Sequence, residues 1–481
     1  MVKPKRFDLI VIGTGSVMET VELVLRDNPK LKVAVIDKDT PGGICLTRGC
    51  IPSKILIYPA ELLRLIEGAS EFGLDVRLEG VNFGYIMDRM RAIIGSEVNA
   101  IRNGLTHSPN IRFYNQPAEF VKPYVLSVGG ELLTADMIFL GAGSKPYIPP
   151  IIGLDDVGYL TSDSVLGLKS KPKSLIVVGG GYIAAEYAHF FSAVGTDVTI
   201  VGRNPRFLPD EEPEVSSVVV NTLSRHLKIV TNNEVFRVER VNPNLKRVYA
   251  KDRSTGAVNM FEAEEILIAA GRAPNTDILH PERGGVEVDS QGWIRVNGFL
   301  QTTQKNVWAL GDATGGQMFK HRANYDAFIL YYNAWLGRRV KVDYSVVPHA
   351  VFTHPEVASV GLREAEAVAK YGEEKVLVGV ERYQDTARGE AMGVKHCFAK
   401  ILVHADTMKI LGAHIVGPYA STLIQEVVNA MSAPDGNVSL LLDPMHIHPA
   451  LSEVVQRAAG SLTTIQEYHH ILEHHYDIHI Q

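Results

Sequence analysis

The chain repeats itself. Phe7–Gly15 (FDLIVIGTG) is a short apolar run ending in a glycine turn, and Ser174–Gly181 (SLIVVGGG) has the same form. Each is followed by a helical stretch and a second apolar run, Lys32–Asp37 (KVAVID) in one half and Asp197–Val201 (DVTIV) in the other. A strand, a helix and a second strand therefore open both halves. Both halves also close alike, in MIFLGAGSKP at Met137–Pro146 and ILIAAGRAP at Ile266–Pro274, apolar strands running into Ala-Gly-x-x-Pro. A chain built this way folds as an α/β protein with two doubly wound parallel sheets, each of a kind that binds nucleotides.

From about Val346 the pattern changes. His349–Gly361, Phe398–Val403 and Ile410–Val416 read as strands of an antiparallel sheet, and Ser421–Ala433 and Ser452–Ala459 as helices. At roughly 150 residues per domain, a third domain of α+β type fits the length. The expected division is 1–152 with 276–345, then 153–275, then 346–481.

Gly179-x-Gly181-x-x-Ala184 lies between a strand and a helix. Gly179 allows the tight turn, Gly181 lets backbone approach a pyrophosphate, and the helix N-terminus offers unpaired N–H groups. The other reading is a glycine turn made for packing alone. Gly13-x-Gly15 is less complete, because Met18 stands where a third glycine permits close helix–strand packing. The helix after Gly15 is therefore expected to sit differently. Asp37 ends the next strand, where a carboxylate binds a ribose 2′-hydroxyl, unless it is a plain turn residue. Gly143 and Gly271, in the two closings, complete the backbone positions expected at the cofactors.

Cys45-Leu-Thr-Arg-Gly-Cys50 follows the first strand–helix–strand opening. The apolar spacing of Ile55, Leu56, Leu62, Leu63 and Ile66 predicts a helix beginning near Cys50 and kinked at Pro59. A cysteine at a helix N-terminus holds a thiolate well, and a four-residue loop can oxidise and reduce reversibly. Structural zinc is the competing reading, but it needs four ligands, and the chain has no second cysteine pair. Cys397 stands alone and reads as a small core residue.

These motifs together resemble the pyridine nucleotide–disulfide oxidoreductase family, of the dihydrolipoamide dehydrogenase and glutathione reductase type. GGICLTRGCIPSK, GGGYIAAE, Ala309–Thr314 (ALGDAT), FTHPEVASVG and HIHPALSE carry the resemblance, which covers nearly the whole chain. It implies FAD in the first domain, NAD(P) in the second and a homodimer through the third. It makes Cys50 the thiol facing the flavin and Cys45 the one that exchanges with substrate. Lys54 and Glu186 become an ion pair near the flavin, Asp312 the holder of the ribityl chain, and Tyr182 a lid over the nicotinamide pocket. His448, with Glu453 five residues on, becomes the acid/base dyad supplied by the partner subunit, with His446 the nearest decoy. Exchange with a disulfide needs a group that takes and gives a proton near neutral pH, which histidine does. The plainer reading of His448 is a surface histidine in a His-rich region.

The second half places Gly202-Arg203-Asn204, with Arg206 nearby, where an NAD enzyme carries a carboxylate. Two arginines suit a 2′-phosphate, so NADP(H) is expected over NAD(H), unless both are solvated loop residues. Dihydrolipoamide dehydrogenases usually use NAD. Val201–Pro209 is similar to mercuric reductase, while MHIHPALSEVV and His321–Asn324 (HRAN) are similar to mycothione reductase, and Asp385–Gly393 leans toward the lipoamide enzymes. Mercuric reductase needs a further cysteine pair near its C-terminus, and no cysteine follows Cys397. Other departures from the family are Arg48 and Gly141-Ala142-Gly143.

The expected function is a dihydrolipoamide dehydrogenase-like oxidoreductase of a small or protein-bound dithiol/disulfide. The alternatives are an NADPH-dependent reductase of a low-molecular-weight disulfide and a non-catalytic flavin-binding subunit of a complex. A net charge of −6 leaves no basic face for nucleic acid or anionic lipid. The early apolar run already contains Asp8, so no signal peptide is read, and Ser174–Gly195 is broken by Glu186, His189 and glycines, so neither is a membrane span. Three cysteines in 481 residues suit a cytoplasmic protein. His469, His470, His474, His475 and His479 form a tail run that is read as a solvated or interface helix, with no metal site assigned.

Overall fold

The computed structural model describes residues 3–475. It divides into two compact units. The first comprises Met1–Ile55, Gly84–Tyr147 and Gly271–Asp343, and the second Leu56–Phe83, Ile148–Ala270 and Tyr344–Gln481.

The first unit is built on a seven-stranded sheet. Its centre is β1 (Lys5–Ile12), followed by α1 (Val17–Asp27) and β2 (Val33–Ile36). β1 runs parallel to β2 on one side and to Glu131–Leu140 on the other, with Ile10 opposite both Ala34 and Ile138. Successive residues of a strand point to opposite faces. Ile10, Ala34 and Ile138 thus enter one apolar core, and Leu9, Val11, Val33 and Phe139 enter another. Cover on both faces is why these strands read as unbroken apolar runs. An antiparallel pair, Ala118–Lys122 and Val125–Val128, extends one edge, and Val307–Ala309 joins Glu131–Leu140 in parallel.

In the second unit, Ser174–Val178 lies parallel between Asp197–Val201 and Glu265–Ile268, within a five-stranded sheet. A three-stranded antiparallel sheet, Asn233–Asn242, Leu245–Asp252 and Val258–Ala263, accompanies it. The rest is a six-stranded antiparallel sheet from His349–Val351 to Thr463–Thr464. The helices Ala420–Met431 and Ser452–Gly460 cover one face of it through Ile424, Val427, Val454 and Val455. The fold class is therefore the expected one, with two doubly wound nucleotide-binding sheets and an α+β C-terminal part. No helix among the described residues is long and apolar enough to cross a membrane.

The duplication extends to atomic detail. Gly13 N–H donates to Ile36 O at 2.7 Å and Gly141 N–H to Ile12 O at 2.8 Å; Gly179 N–H donates to Val201 O at 3.0 Å and Ala269 N–H to Val178 O at 2.8 Å. A Cβ on Gly13 (φ +97°) would lie 2.2 Å from Gly141 O, and one on Gly179 (φ +141°) 2.2 Å from Ala269 O. Both turns admit glycine alone, for the same two reasons of positive φ and backbone crowding.

Candidate active site

The two cysteines are brought together by two helices with a glycine between them. Cys45 lies in α2 (Gly43–Arg48) and Cys50 is the first residue of α3 (Cys50–Glu67), which runs on through Pro59. A Cβ on Gly49 would lie 2.9 Å from Ile44 O and 3.3 Å from Cys45 Cα, so a side chain there would push the helices apart. A hydrogen bond with Cys50 raises the pKa of Cys45, and burial and the charge of Cys50 add to it, while the Lys320 ammonium pulls it down. Cys50 stands at the start of an 18-residue helix, a position that favours an anion. Arg48, between the cysteines, is tied to Asp39 at 2.7 Å. Lys54 lies one turn along α3, with Nζ 3.5 Å from Ser53 Oγ. Cys397 is buried at 5% exposure in the C-terminal core, and burial pushes its thiol up to about 12.

Gly13 and Gly15 lead into α1, whose N-terminus carries no side-chain cap. Asp37, at the end of β2, accepts hydrogen bonds from Thr14 N at 2.9 Å and Thr14 Oγ1 at 2.5 Å. A turn with bare backbone, uncapped helical N–H groups and a nearby carboxylate fits the pyrophosphate and ribose of a dinucleotide. Met18 is half-buried against the core that α1 shares with β1, and α1 begins two residues after Gly15. The second-half helix Tyr182–Ala193 begins directly after Gly181.

The two closings form an unforeseen pair. Ser144–Pro146 and Arg272–Pro274 run antiparallel as one small ribbon, with Gly143 at one end of it and Gly271 at the other. Asp312 joins them, its carboxylate accepting from Ser144 Oγ at 2.5 Å while Arg272 Nε donates to the same hydroxyl at 2.6 Å. Asn275 Nδ2 donates to Ala142 O and Ser144 O at 3.0 and 3.1 Å. Ser144, Arg272 and Asn275 were not anticipated as site residues, although the matched Ala-Gly-x-x-Pro endings were the signal.

In the second unit, Gly179, Gly181 and Tyr182 form one turn, and Gly202 comes within Cβ reach (3.6 Å) of Gly180 Cα. Arg203 is exposed and Arg206 half-buried, and neither has an ion-pair partner among the described residues. Glu186 is 4% exposed, with Oε1 accepting from Phe352 N at 3.2 Å. His448 Nδ1 lies 3.0 Å from Glu453 Oε1, and Ala450 N donates to Glu453 Oε2 at 3.1 Å. The His448 bond, then the Ala450 N–H and the charges of His448 and Arg457, lower the Glu453 pKa. His446 makes a second such pair, 2.6 Å from Glu426, but its side chain is 6% exposed against 66% for His448. No group of three or more His, Cys, Asp or Glu able to hold a metal ion occurs among the described residues. His469 pairs with Glu364 at 2.7 Å, while His479 and the side chains of His474 and His475 lie outside the described residues.

Residues 7–327 match the model of the pyridine nucleotide-disulphide oxidoreductase family, and residues 347–459 match its dimerisation domain. The chain belongs to that family. It is an oxidoreductase of the FAD- and pyridine nucleotide-binding type, with a dimerisation domain that supports a homodimer. It is 33% identical over 469 residues to mycothione reductase of Mycobacterium tuberculosis, covering 94% of this chain and 98% of that protein. It is 32% identical over 461 residues to dihydrolipoyl dehydrogenase of Chlamydia trachomatis, covering 94% and 96%. Among solved structures, the Cu(II) complex of the HOCl-induced flavoprotein disulfide reductase RclA from Escherichia coli superposes with a TM-score of 0.84 at 28% identity, covering 95% and 99%.

Proposed function

We propose that the enzyme passes electrons between NAD(P)(H), FAD, the Cys45–Cys50 pair and a thiol or disulfide substrate. The observation that carries this reading is the pair itself, joined thiol to thiol with Cys50 at the head of α3. On this reading residues 1–152 with 276–345 bind FAD, 153–275 bind the pyridine nucleotide, and 346–481 form the dimer interface. Gly13, Gly15, Asp37, Gly143, Gly271 and Asp312 hold FAD, with Lys54 and Glu186 near its redox end. Gly179, Gly181 and Tyr182 receive the nicotinamide coenzyme. Bound FAD supplies the two-electron relay between that coenzyme and the cysteines.

In the reducing direction, the Cys45 thiolate attacks a substrate disulfide, whose S–S bond breaks. One substrate thiolate leaves and takes a proton from His448 of the partner subunit, held in orientation by its carboxylate neighbour. The Cys50 thiolate then attacks the mixed disulfide at Cys45, releasing the second substrate thiolate and closing the Cys45–Cys50 bond. Arg203 and Arg206 favour NADP(H), since a charge-assisted hydrogen bond to a 2′-phosphate contributes roughly 1.5–3 kcal/mol.

Two substrate readings remain, each with its own support. Arg203 and Arg206 favour an NADPH-dependent reductase of a low-molecular-weight disulfide, and the Asp385–Gly393 stretch, which leans toward the lipoamide enzymes, favours a dihydrolipoamide dehydrogenase. Anaerobic reduction by NADPH and NADH, followed by turnover with lipoamide and a panel of disulfides, separates them. NADPH is expected to saturate at lower concentration, and Arg203→Ala to narrow the gap. A preparation that takes up FAD but whose Cys45–Cys50 pair stays unreduced by either coenzyme overturns the reading.

A further inference from the structure

The loop that carries Arg203 and Arg206 is fixed at three places within the second unit. Its start is stitched by backbone: Gly202 N–H donates to Val230 O at 2.8 Å, and Asn232 N–H to Asn204 O at 2.7 Å. Its middle rests on the Gly179–Gly181 turn, where Leu208 N–H donates to Gly180 O at 2.8 Å and the side chains of Phe207 and Leu208 are buried. Leu208 takes φ +48°, a conformation that leucine holds only where its surroundings impose it. Its end is Glu211–Glu212, which lies against the six-stranded sheet.

This third fixture is a row of polar side chains. Antiparallel register places His349 opposite Ser359, Ser359 opposite His414 and His414 opposite Lys400, on four neighbouring strands. Ala358, Val360, Ala399, Ile401, Ala413 and Ile415 alternate with them and enter the core under the helices, so the row lies on the other face. Glu211 sits on this row, with Oε1 2.6 Å from His349 Nε2 and Oε2 accepting from Ser359 Oγ at 2.6 Å. His414 Nδ1 lies 3.1 Å from the same hydroxyl. Glu212 Oε1 accepts from Glu364 N at 2.6 Å and lies 3.5 Å from both His414 Nε2 and Lys400 Nζ. Both glutamates are 3% exposed, and carboxylates are buried so completely only where partners replace their water. Here those partners of Glu211 come from 138 and 148 positions along the chain.

We propose that Glu211 and His349 are positioning residues for coenzyme choice: by pinning the end of the 202–212 loop to the polar row of the C-terminal sheet, they hold Arg203 and Arg206 in place for a 2′-phosphate. The inference rests on the reading of those arginines as the NADP(H) determinant. Charge-assisted hydrogen bonds to phosphate depend on direction, and a loop that is already ordered loses less entropy when the ligand arrives. NADH has no 2′-phosphate and makes no use of the two guanidiniums. Loosening the pin therefore weakens NADPH and spares NADH, whereas a general loss of structure weakens both.

The test measures half-saturation by NADPH and by NADH, together with the limiting rate, in anaerobic stopped-flow reduction of the FAD enzyme. His349→Ala is expected to raise the NADPH half-saturation roughly three- to tenfold, the cost of ordering about one loose side chain or loop contact, with the NADH value and both limiting rates unchanged. His349→Gln, whose amide can donate in place of Nε2, is expected to restore most of the NADPH affinity. Ser359→Ala removes the other bond to Glu211 and is expected to act in the same direction, and it serves if His349→Ala folds poorly. In an enzyme already carrying Arg203→Ala and Arg206→Ala, His349→Ala is expected to add nothing, because the groups it positions are gone. An unchanged NADPH-to-NADH ratio in both His349→Ala and Ser359→Ala overturns the proposal, as does an equal loss for the two coenzymes. Failure of the underlying reading looks different: the double arginine variant would itself saturate with NADPH as the wild type does.

Discussion

Two histidines two residues apart each hold a carboxylate, and exposure separates them. His448 presents its ring to solvent while Glu453 grips Nδ1, leaving Nε2 for a proton transfer. His446 is buried against Glu426. His448→Ala is therefore expected to slow exchange with the disulfide substrate by about 10²–10⁴-fold, the usual cost of losing a general acid/base, with little effect on reduction by NADPH. His446→Ala is expected to lower thermal stability and leave the pH dependence of exchange in place. Wild-type exchange rates in His448→Ala across the pH range would transfer the role elsewhere. The cysteines divide in a similar way. With Cys50 replaced by serine, Cys45 should still form a mixed disulfide with substrate that mass spectrometry can trap, whereas Cys45→Ser should trap none.

At the level of elements, the strand-to-helix turns carry the tightest constraint. Gly13→Ala and Gly179→Ala each introduce a Cβ 2.2 Å from a carbonyl oxygen at a positive φ. Strained backbone of this kind costs of order 1–3 kcal/mol before any clash is counted. Gly13→Ala should lose FAD on gel filtration, and Gly179→Ala should raise the NADPH concentration needed for half-saturation while retaining FAD. Identical behaviour of the two variants would contradict the assignment of one turn to each cofactor. The helix Phe83–His107 belongs at this scale too. Its buried Phe83, Met87, Met90, Ile94 and Val98 recur at helical spacing. That apolar spacing is written in the sequence itself.

For the whole molecule, acid and dilution are the informative stresses. His189 is fully buried with neither ring nitrogen hydrogen-bonded, and burial, with repulsion from Arg64, His354 and His226, pushes its pKa down to about 3. His226 and His354 are lowered too, chiefly by burial. The unfolded chain protonates such groups as pH falls through about 6.5, the folded chain does not, and stability present above that value is lost on acidification. His349 runs the other way: burial lowers its pKa, but the Glu211 bond and charge raise it overall, so its contribution is present below about 6.5 and lost as pH rises through its folded value. His189→Leu should therefore shrink the drop in thermal midpoint between about pH 7.5 and about pH 5.5. An undiminished drop would assign the acid sensitivity to other groups. Met445 and Ile447, beside the two histidines, are 102% and 77% exposed, an unusual cost for apolar side chains. Met445→Glu with Ile447→Glu is expected to shift the dimer toward monomer in sedimentation, and a dimer of unchanged strength would place the interface elsewhere.

The internal repeat, the two glycine turns, the C-terminal change of pattern and the cysteine pair were all legible in the sequence, because each is set by neighbours close along the chain. Strand burial on both faces demands apolar runs, positive φ beside a carbonyl demands glycine, and a reversible small loop demands cysteines a few residues apart. What only the tertiary structure decided lies between residues far apart in sequence. The two Ala-Gly-x-x-Pro endings, more than a hundred residues apart, pair into one ribbon around Asp312 and bring in Ser144, Arg272 and Asn275. Lys320 meets Ser16 across 304 positions. His446 and His448 differ by burial, which no local pattern encodes. Local sterics and periodicity are written in the order of residues, whereas which distant side chains meet, and which are buried, depends on where folding puts them.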